Sequence, residues 1–234
     1  MRLRFISDSP THLGSLYIRA ASPHADLVEE IVTVVQRDRA LLNDLLRVGQ
    51  YDLSEKSLRG RVKRNLKKLR KSLRVKESSI VKMSSGTELI GIAVFFALEK
   101  LLTRYNLYMY LEPEIIVVGS PFDYAIVDEA NKRVLLLVEV KRLRSFENLP
   151  RYAKNFLDKA MPIIDRCGYA VLHLHITPDI AKDEKLLDVV KTFAETLNTM
   201  IRISMNVRVI LTYGDSFDLF RKQLEEQIEA LLTS

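Results

Sequence analysis

The sequence predicts an α/β fold with a mixed sheet, preceded by a small, mainly helical N-terminal domain. From residue 81 to residue 234, helical and strand-like patterns alternate in the order α-β-β-β-α-β-α-β-α. Within this region the segment 134–138 is apolar at every position, as is typical of a central strand covered on both faces. Residues 1–80 instead combine apolar residues at helical spacing with a strongly basic segment.

The composition is that of a globular protein. The chain has 234 residues, of which 47% are hydrophobic and 28% charged. No apolar run approaches the ~18 residues of a membrane-spanning helix, and the first residues lack the pattern of a signal peptide. We therefore expect a soluble, cytoplasmic protein. The single Cys167 excludes an internal disulfide and a zinc site made of several cysteines.

Three helices are expected in the N-terminal domain after a short strand-like start. Ser22 and Pro23 suit the N-cap and first position of the first helix. The second helix is predicted over residues 38–48, with Gly49 ending it. The third begins near Ser54 and carries Val62, Leu66, Leu69 and Leu73 along one apolar stripe.

The third helix concentrates the positive charge of the chain. The segment Arg59–Lys76 has ten basic residues and no acidic one, which leaves 26 basic and 30 acidic residues elsewhere, a net charge of −4. Such a local patch indicates a polyanionic partner, although a merely solvated helix face has the same pattern. The residues predicted to bind phosphates in this segment are Arg61, Lys63, Arg64, Lys67, Lys68, Arg70 and Lys71.

The elements of the second domain follow from the period of the apolar residues and from turn residues. The sequence Asp128-Glu129-Ala130-Asn131 predicts a hairpin turn, and Thr177-Pro178 ends a strand. Helices are predicted over residues 87–103, 149–166, 183–200 and 215–232, and strands over residues 107–118, 122–127, 133–141, 169–176 and 207–213.

Charged residues interrupt this pattern at one point. Glu139 and Lys141 end the apolar strand on one face, with Val140 on the other. The hairpin brings Asp123, at the start of the preceding strand, to the same end. Two carboxylates held together repel each other, and a divalent cation that prefers oxygen ligands removes that repulsion. With a lysine beside them, such ligands suit hydrolysis of a phosphodiester.

The motifs Pro121-Phe122-Asp123 and Glu139-Val140-Lys141 resemble those of the PD-(D/E)XK, or restriction-endonuclease-like, nuclease superfamily. The resemblance covers residues 84–214 and includes the αβββαβ order of the core. It implies a Mg²⁺-dependent endonuclease, with Mn²⁺ as a substitute. The sequence differs from the RecB-like branch, because no glutamine follows the lysine strand until Gln223.

The resemblance also implies a role for each residue of the site. Asp123 and Glu139 are expected to bind the metal, together with the backbone carbonyl of Val140, and Lys141 to orient or activate the attacking water. Many members add a glutamate from the first core helix, where this chain has Glu88. The sequence Ser85-Gly86-Thr87-Glu88 is also a capping box, so Glu88 equally suits a helix cap.

Other residues near the motifs have two interpretations. Arg142 and Arg144 either bind phosphates or form a basic strand end. Tyr152 and Lys154, at the start of the next helix, are candidates for substrate contact. His173 and His175 share a strand face at metal-compatible spacing, but no third ligand is evident near them.

The expected substrate is DNA rather than RNA, and a homodimer is expected because many nucleases of the superfamily are dimers. Three alternatives stay open: a non-catalytic nucleic-acid-binding protein that keeps the fold, an RNA-directed or defence-linked nuclease, and a subunit whose basic helix meets an acidic protein.

Overall fold

The computed structural model describes residues 1–7, 9–50, 71, 88–115, 118–119, 121–202, 206–214 and 216–234. In this part of the chain the fold is α/β, with a mixed six-stranded sheet in the order β1-β4-β6-β7-β8-β9. Its strands are β1 (Leu3–Arg4), β4 (Tyr108–Leu111), β6 (Tyr124–Asp128), β7 (Arg133–Leu143), β8 (Tyr169–Ile176) and β9 (Val207–Tyr213).

The pairing within this sheet explains why it is mixed. Strands β4, β6 and β7 pair antiparallel, and a short turn joins β6 to β7. Strands β7, β8 and β9 pair in parallel, each joined to the next through helices. The N-terminal β1 adds in parallel to β4 at one edge. The α/β class and the mixed sheet that the sequence predicts are thus confirmed.

A second, three-stranded sheet contains β2 (Thr11–Leu13), β3 (Leu16–Ala20) and β5 (Pro113–Ile115). Strand β5 separates from β4 at Glu112, whose φ is 47°. A non-glycine residue in this left-handed region breaks a strand, so the single strand predicted over 107–118 was wrong. The chain instead turns at Glu112 and continues into the smaller sheet.

Helices cover both faces of the main sheet. The helices are α1 (Ala25–Arg37), α2 (Leu41–Gln50), α3 (Glu88–Arg104), α4 (Leu149–Ala160), α5 (Pro178–Ala181), α6 (Glu184–Arg202) and α7 (Phe217–Leu232), with 3₁₀ turns at Phe146–Asn148 and Met161–Arg166. The side chains of each strand point alternately to the two faces of the sheet, and each face has its own hydrophobic core. Helices α1, α2, α3 and α7 cover one face, and α4, α6 and the smaller sheet cover the other.

Most predicted elements of the second half are confirmed, and β8 and β9 have the predicted bounds. Two details of the first half were wrong. Helix α1 begins at Ala25 rather than Pro23, because the Ser22 hydroxyl donates to Glu88 instead of capping the helix. Gly49 does not end the second helix, which extends to Gln50.

The first fifty residues share the sheets and core of the rest of the fold. Strand β1 pairs with β4, and β3 pairs with β5. Helices α1 and α2 pack with α3 in one hydrophobic core. Because residues 51–80, except Lys71, lie outside the described residues, the domain boundary at residues 80 and 81 stays a prediction.

Two fully buried histidines lie on β8 where α7 packs against the sheet. His173 Nε2 and His175 Nδ1 contact the Thr212 hydroxyl at 2.7 and 2.8 Å, and both rings pack against Phe220. A hydroxyl has one proton, so Thr212 donates to one ring and accepts from the other. Burial lowers the pKa of both histidines to about 3. The nearby charge of His175 lowers the pKa of His173 further, and the charge of Arg142 does the same for His175.

These histidines predict that the protein loses stability in acid. As pH falls from the ordinary pKa of 6.5 towards 3, the unfolded chain takes up protons that the folded protein does not. The free energy of unfolding should therefore fall through that window and be independent of these two groups above it. Urea denaturation across the window should show a smaller pH dependence for His173→Gln/His175→Gln.

His12→Gln is the matched control, because His12 is exposed. It should leave the pH dependence unchanged. An equal dependence in the wild type and the double variant would contradict this origin of the acid sensitivity.

Candidate active site

The β6–β7 hairpin brings Asp123 and Glu139 close together. In the antiparallel register Tyr124 pairs with Val138, so Asp123 directly precedes the paired residues of β6 and Glu139 directly follows those of β7, at the same end of the hairpin. The Asp123 amide donates to the Val138 carbonyl at 3.0 Å, which extends the ladder to this position. Because Asp123 Oδ2 accepts from the amide of Val140, the residue next to Glu139, the two carboxylates lie in one small region.

The backbone of Val140 completes this region on the β6 side. The Val140 amide donates to Asp123 Oδ2 at 2.5 Å. In a strand the N–H and C=O of one residue point to the same side, so the Val140 carbonyl also faces Asp123. The Val140 side chain lies in the core on the opposite sheet face. The Val140 carbonyl therefore lies on the same side of β7 as Asp123, and its role as a metal ligand stays a prediction.

Two lysines hold the carboxylate of Glu139. Lys141 Nζ lies 2.5 Å from Oε1, and Lys159 Nζ lies 2.5 Å from Oε2. Glu139 is only 9% exposed, and a carboxylate so buried is costly unless cations compensate it. The predicted neighbours Glu139 and Lys141 are therefore in contact, and a second lysine joins them.

Lys159 was not among the predicted site residues. It lies on α4, where Tyr152, Phe156 and Lys159 follow one another at spacings of four and three and so share one helix stripe. Its ammonium also donates to the Pro121 carbonyl at 2.5 Å and lies 4.3 Å from the centre of the Phe122 ring. The sequence contains one indication of Lys159: it lies on the same helix stripe as Tyr152, which was a predicted candidate for substrate contact.

The charge state of Lys141 follows from its surroundings. Burial lowers the pKa of Lys141, but the charge of Glu139, its hydrogen bond and the charge of Asp123 together raise the pKa above the ordinary value. Tyr152 contributes in the same direction, which places it near the ammonium. Lys141 is therefore a cation at neutral pH. It suits stabilisation of negative charge rather than removal of a proton.

Glu88 has a different set of partners. Its buried carboxylate accepts a hydrogen bond from the Ser22 hydroxyl at 2.9 Å and contacts His24 Nδ1 at 2.9 Å. The role of Glu88 as a metal ligand stays a prediction, and in the described part of the chain its carboxylate contacts Ser22 and His24. In the structure Glu88 connects the start of α3 to the chain between β3 and α1.

The predicted phosphate-binding residues are only partly described. Arg142 and Arg144 are half-buried at the end of β7, and both have interaction partners. Lys71 is exposed and helical. The other predicted residues, Arg61, Lys63, Arg64, Lys67, Lys68 and Arg70, lie outside the described residues. Lys154 is exposed on α4.

The donor set of the hairpin end fits a hard divalent cation. Two carboxylates and a backbone carbonyl are oxygen ligands, which Mg²⁺ and Mn²⁺ prefer. The buried histidine pair fits a metal less well, because both rings share the Thr212 hydroxyl and no third ligand accompanies them in the described part of the chain. The hairpin end is thus the better candidate for a metal site.

The comparisons with known proteins do not assign the chain to a family. No protein-family model matches the sequence, and no curated protein matches it. Among the described residues, no helix is both long enough and apolar enough to cross a membrane.

The contacts of Glu88 predict a structural contribution that can be measured. Glu88→Gln removes a buried charge that Ser22 and His24 compensate, and the free energy of unfolding should fall by about 1–3 kcal/mol. Urea denaturation measures the loss.

Glu99→Gln is the matched control on the same helix. Its pair with Arg39 is more than a third exposed, so the change should cost less than about 1 kcal/mol. If Glu88→Gln is as stable as Glu99→Gln, the carboxylate does not hold the N-terminal segment.

Proposed function

We propose that this protein is a metal-dependent nuclease of the restriction-endonuclease-like kind that hydrolyses phosphodiester bonds. The observation that carries the proposal is the cluster of Asp123, Glu139 and Lys141 at the open end of the β6–β7 hairpin. Two neighbouring carboxylates and a charged lysine, on rigid strands at the end of a central sheet, suit phosphoryl chemistry.

Asp123, Glu139 and the Val140 carbonyl would hold a Mg²⁺ ion, or Mn²⁺ in its place. A bound divalent cation supplies Lewis-acid stabilisation of the phosphate and a more acidic water. The Val140 amide fixes the orientation of Asp123 through Oδ2. The ordered backbone around Asp123 therefore holds this ligand before any ion arrives.

Lys141 would stabilise the charge that develops on the phosphate. Its pKa is raised, so it keeps its proton at Nζ through the reaction. Because Nζ contacts Glu139 Oε1, the ammonium lies beside the ligand and needs only a side-chain rotation to reach a phosphate oxygen.

The proposed substrate is DNA in preference to RNA, cleaved internally, with the Arg59–Lys76 segment providing most of the affinity for phosphates. We propose a cytoplasmic homodimer, by the resemblance stated above. Light scattering of the purified protein tests the dimer directly.

We predict cleavage that requires Mg²⁺ or Mn²⁺ and stops with EDTA. Linear duplex, single-stranded DNA, branched DNA and RNA are incubated with the wild type and with Lys141→Ala. The variant should cleave at least about 100-fold more slowly, as when one group that stabilises transition-state charge is removed. Asp123→Asn and Glu139→Gln should be as inactive.

Lys185→Ala is the matched control, because it removes an exposed lysine from a different helix, α6. It should cleave like the wild type. Cleavage by Lys141→Ala at the wild-type rate would refute the assignment of the site.

A non-catalytic nucleic-acid-binding protein is the second candidate. The observation that favours it is that both oxygens of Glu139 are held by lysines, which stabilises the site without an ion. Salt-dependent binding of nucleic acid, with no cleavage of any substrate in either metal, is the result that selects this candidate.

Both candidates predict that the basic segment carries the affinity. Three of its lysines, Lys63, Lys67 and Lys71, are changed to glutamine. The negative slope of log K against log salt concentration should then become shallower by about 0.9 per lost phosphate contact on a duplex. Fluorescence anisotropy with a labelled duplex measures the slope.

The control is a triple variant of exposed lysines elsewhere, Lys100, Lys182 and Lys185. Its slope should stay at the wild-type value. Equal slopes for both triple variants would place the phosphate contacts outside the Arg59–Lys76 segment.

A further inference from the structure

Lys159 spans the two strands that carry the carboxylates. Its ammonium contacts Glu139 Oε2 on β7 and the Pro121 carbonyl, two residues before Asp123. A cation with Asp123 and Glu139 as ligands must lie between the same two chain segments. Lys159 is only 15% exposed, so its ammonium lies inside the site rather than at its rim.

The charges of the cluster balance without a metal ion. Asp123 and Glu139 carry two negative charges, and Lys141 and Lys159 carry two positive charges. A divalent cation bound to Glu139 would lie close to both ammonium groups and would add two positive charges to a balanced cluster, so repulsion favours the release of one ammonium from the carboxylate. A phosphodiester brings a negative charge that the displaced ammonium can bind.

Lys159 is the lysine suited to this exchange. Lys141 is two residues from Glu139 on the same strand face, so it stays close to the carboxylate in any state. Lys159 comes from α4 and has anchors besides Glu139: the Pro121 carbonyl and the face of the Phe122 ring. These anchors keep its ammonium within reach of the site after Glu139 has released it.

We propose that Lys159 is a positioning residue that holds Glu139 in the place of the divalent cation, so that metal and phosphodiester are bound together rather than in sequence. The inference rests on the proposed function, since it takes Glu139 to be a metal ligand. It implies that the protein alone binds the ion weakly, and that removal of Lys159 makes binding of the ion tighter.

The test is a titration of the full chain with Mn²⁺ alone, in which electron paramagnetic resonance measures the free ion. Lys159→Met should bind Mn²⁺ at least about tenfold tighter than the wild type, since one charge-assisted hydrogen bond no longer competes. Lys159→Arg keeps the charge and should bind as weakly as the wild type. Glu139→Gln in the Lys159→Met background should lose the tight binding, which assigns the ion to this site.

Lys154→Met is the matched control, because it removes the same charge from an exposed position on the same helix. Its Mn²⁺ affinity should equal that of the wild type. If Lys159→Met does not fold, Lys159→Gln gives the same comparison, because it also removes the ammonium and keeps a polar side chain.

Cleavage assays on the same proteins separate this inference from the proposed function. If the wild type cleaves nucleic acid and Lys159→Met binds Mn²⁺ no more tightly than the wild type, the role of Lys159 is refuted and the nuclease function is supported. If Lys159→Met binds tightly and no variant cleaves, the nuclease is refuted and the exchange stands. If neither the wild type nor any variant cleaves and Lys159→Met binds Mn²⁺ no more tightly than the wild type, both are refuted.

Discussion

The structure depends on the compensation of one buried carboxylate. Glu139 follows five apolar residues within β7, and it is only 9% exposed to water. A charge in that position requires cations at hydrogen-bond distance. Strand β7 provides Lys141, and α4 provides Lys159. The need for a second cation therefore connects the docking of a helix to the end of the central strand.

The hairpin register extends this constraint towards the N-terminus. Asp123 lies at the same end of the hairpin as Glu139, and the Asp123 carbonyl accepts from the Glu112 amide. The Glu112 carbonyl in turn accepts from the Ala21 amide, so backbone hydrogen bonds connect the candidate site to the end of β3. The next residue, Ser22, binds Glu88 at the start of α3. Residues distant in sequence thus form one continuous support for the hairpin end.

The parts of this arrangement that sequence could predict are the local ones. The two-residue period of a strand is enough to predict that Glu139 and Lys141 are neighbours. A hairpin turn is enough to predict that Asp123 lies near them. Lys159 could not be predicted in the same way, because a lysine on an amphipathic helix has the same local pattern whether it faces water or a carboxylate. The partners of Glu88 were missed for a related reason. Ser22 has the local pattern of a helix cap, and only the tertiary fold brings it to Glu88.

Because the charges of the cluster balance, the attraction of a substrate and the chemistry on it are assigned to different parts of the chain. Asp123 and Glu139 are matched by Lys141 and Lys159, so the cluster has no net charge with which to attract a polyanion. The net charge of +6 comes from the Arg59–Lys76 segment, since the rest of the chain is negative. Under the proposed function, that segment brings the phosphate backbone to the protein, and the phosphate changes the balance at the hairpin end. Under that function, a site so arranged would gain its full positive charge only when a phosphodiester is present to compensate it.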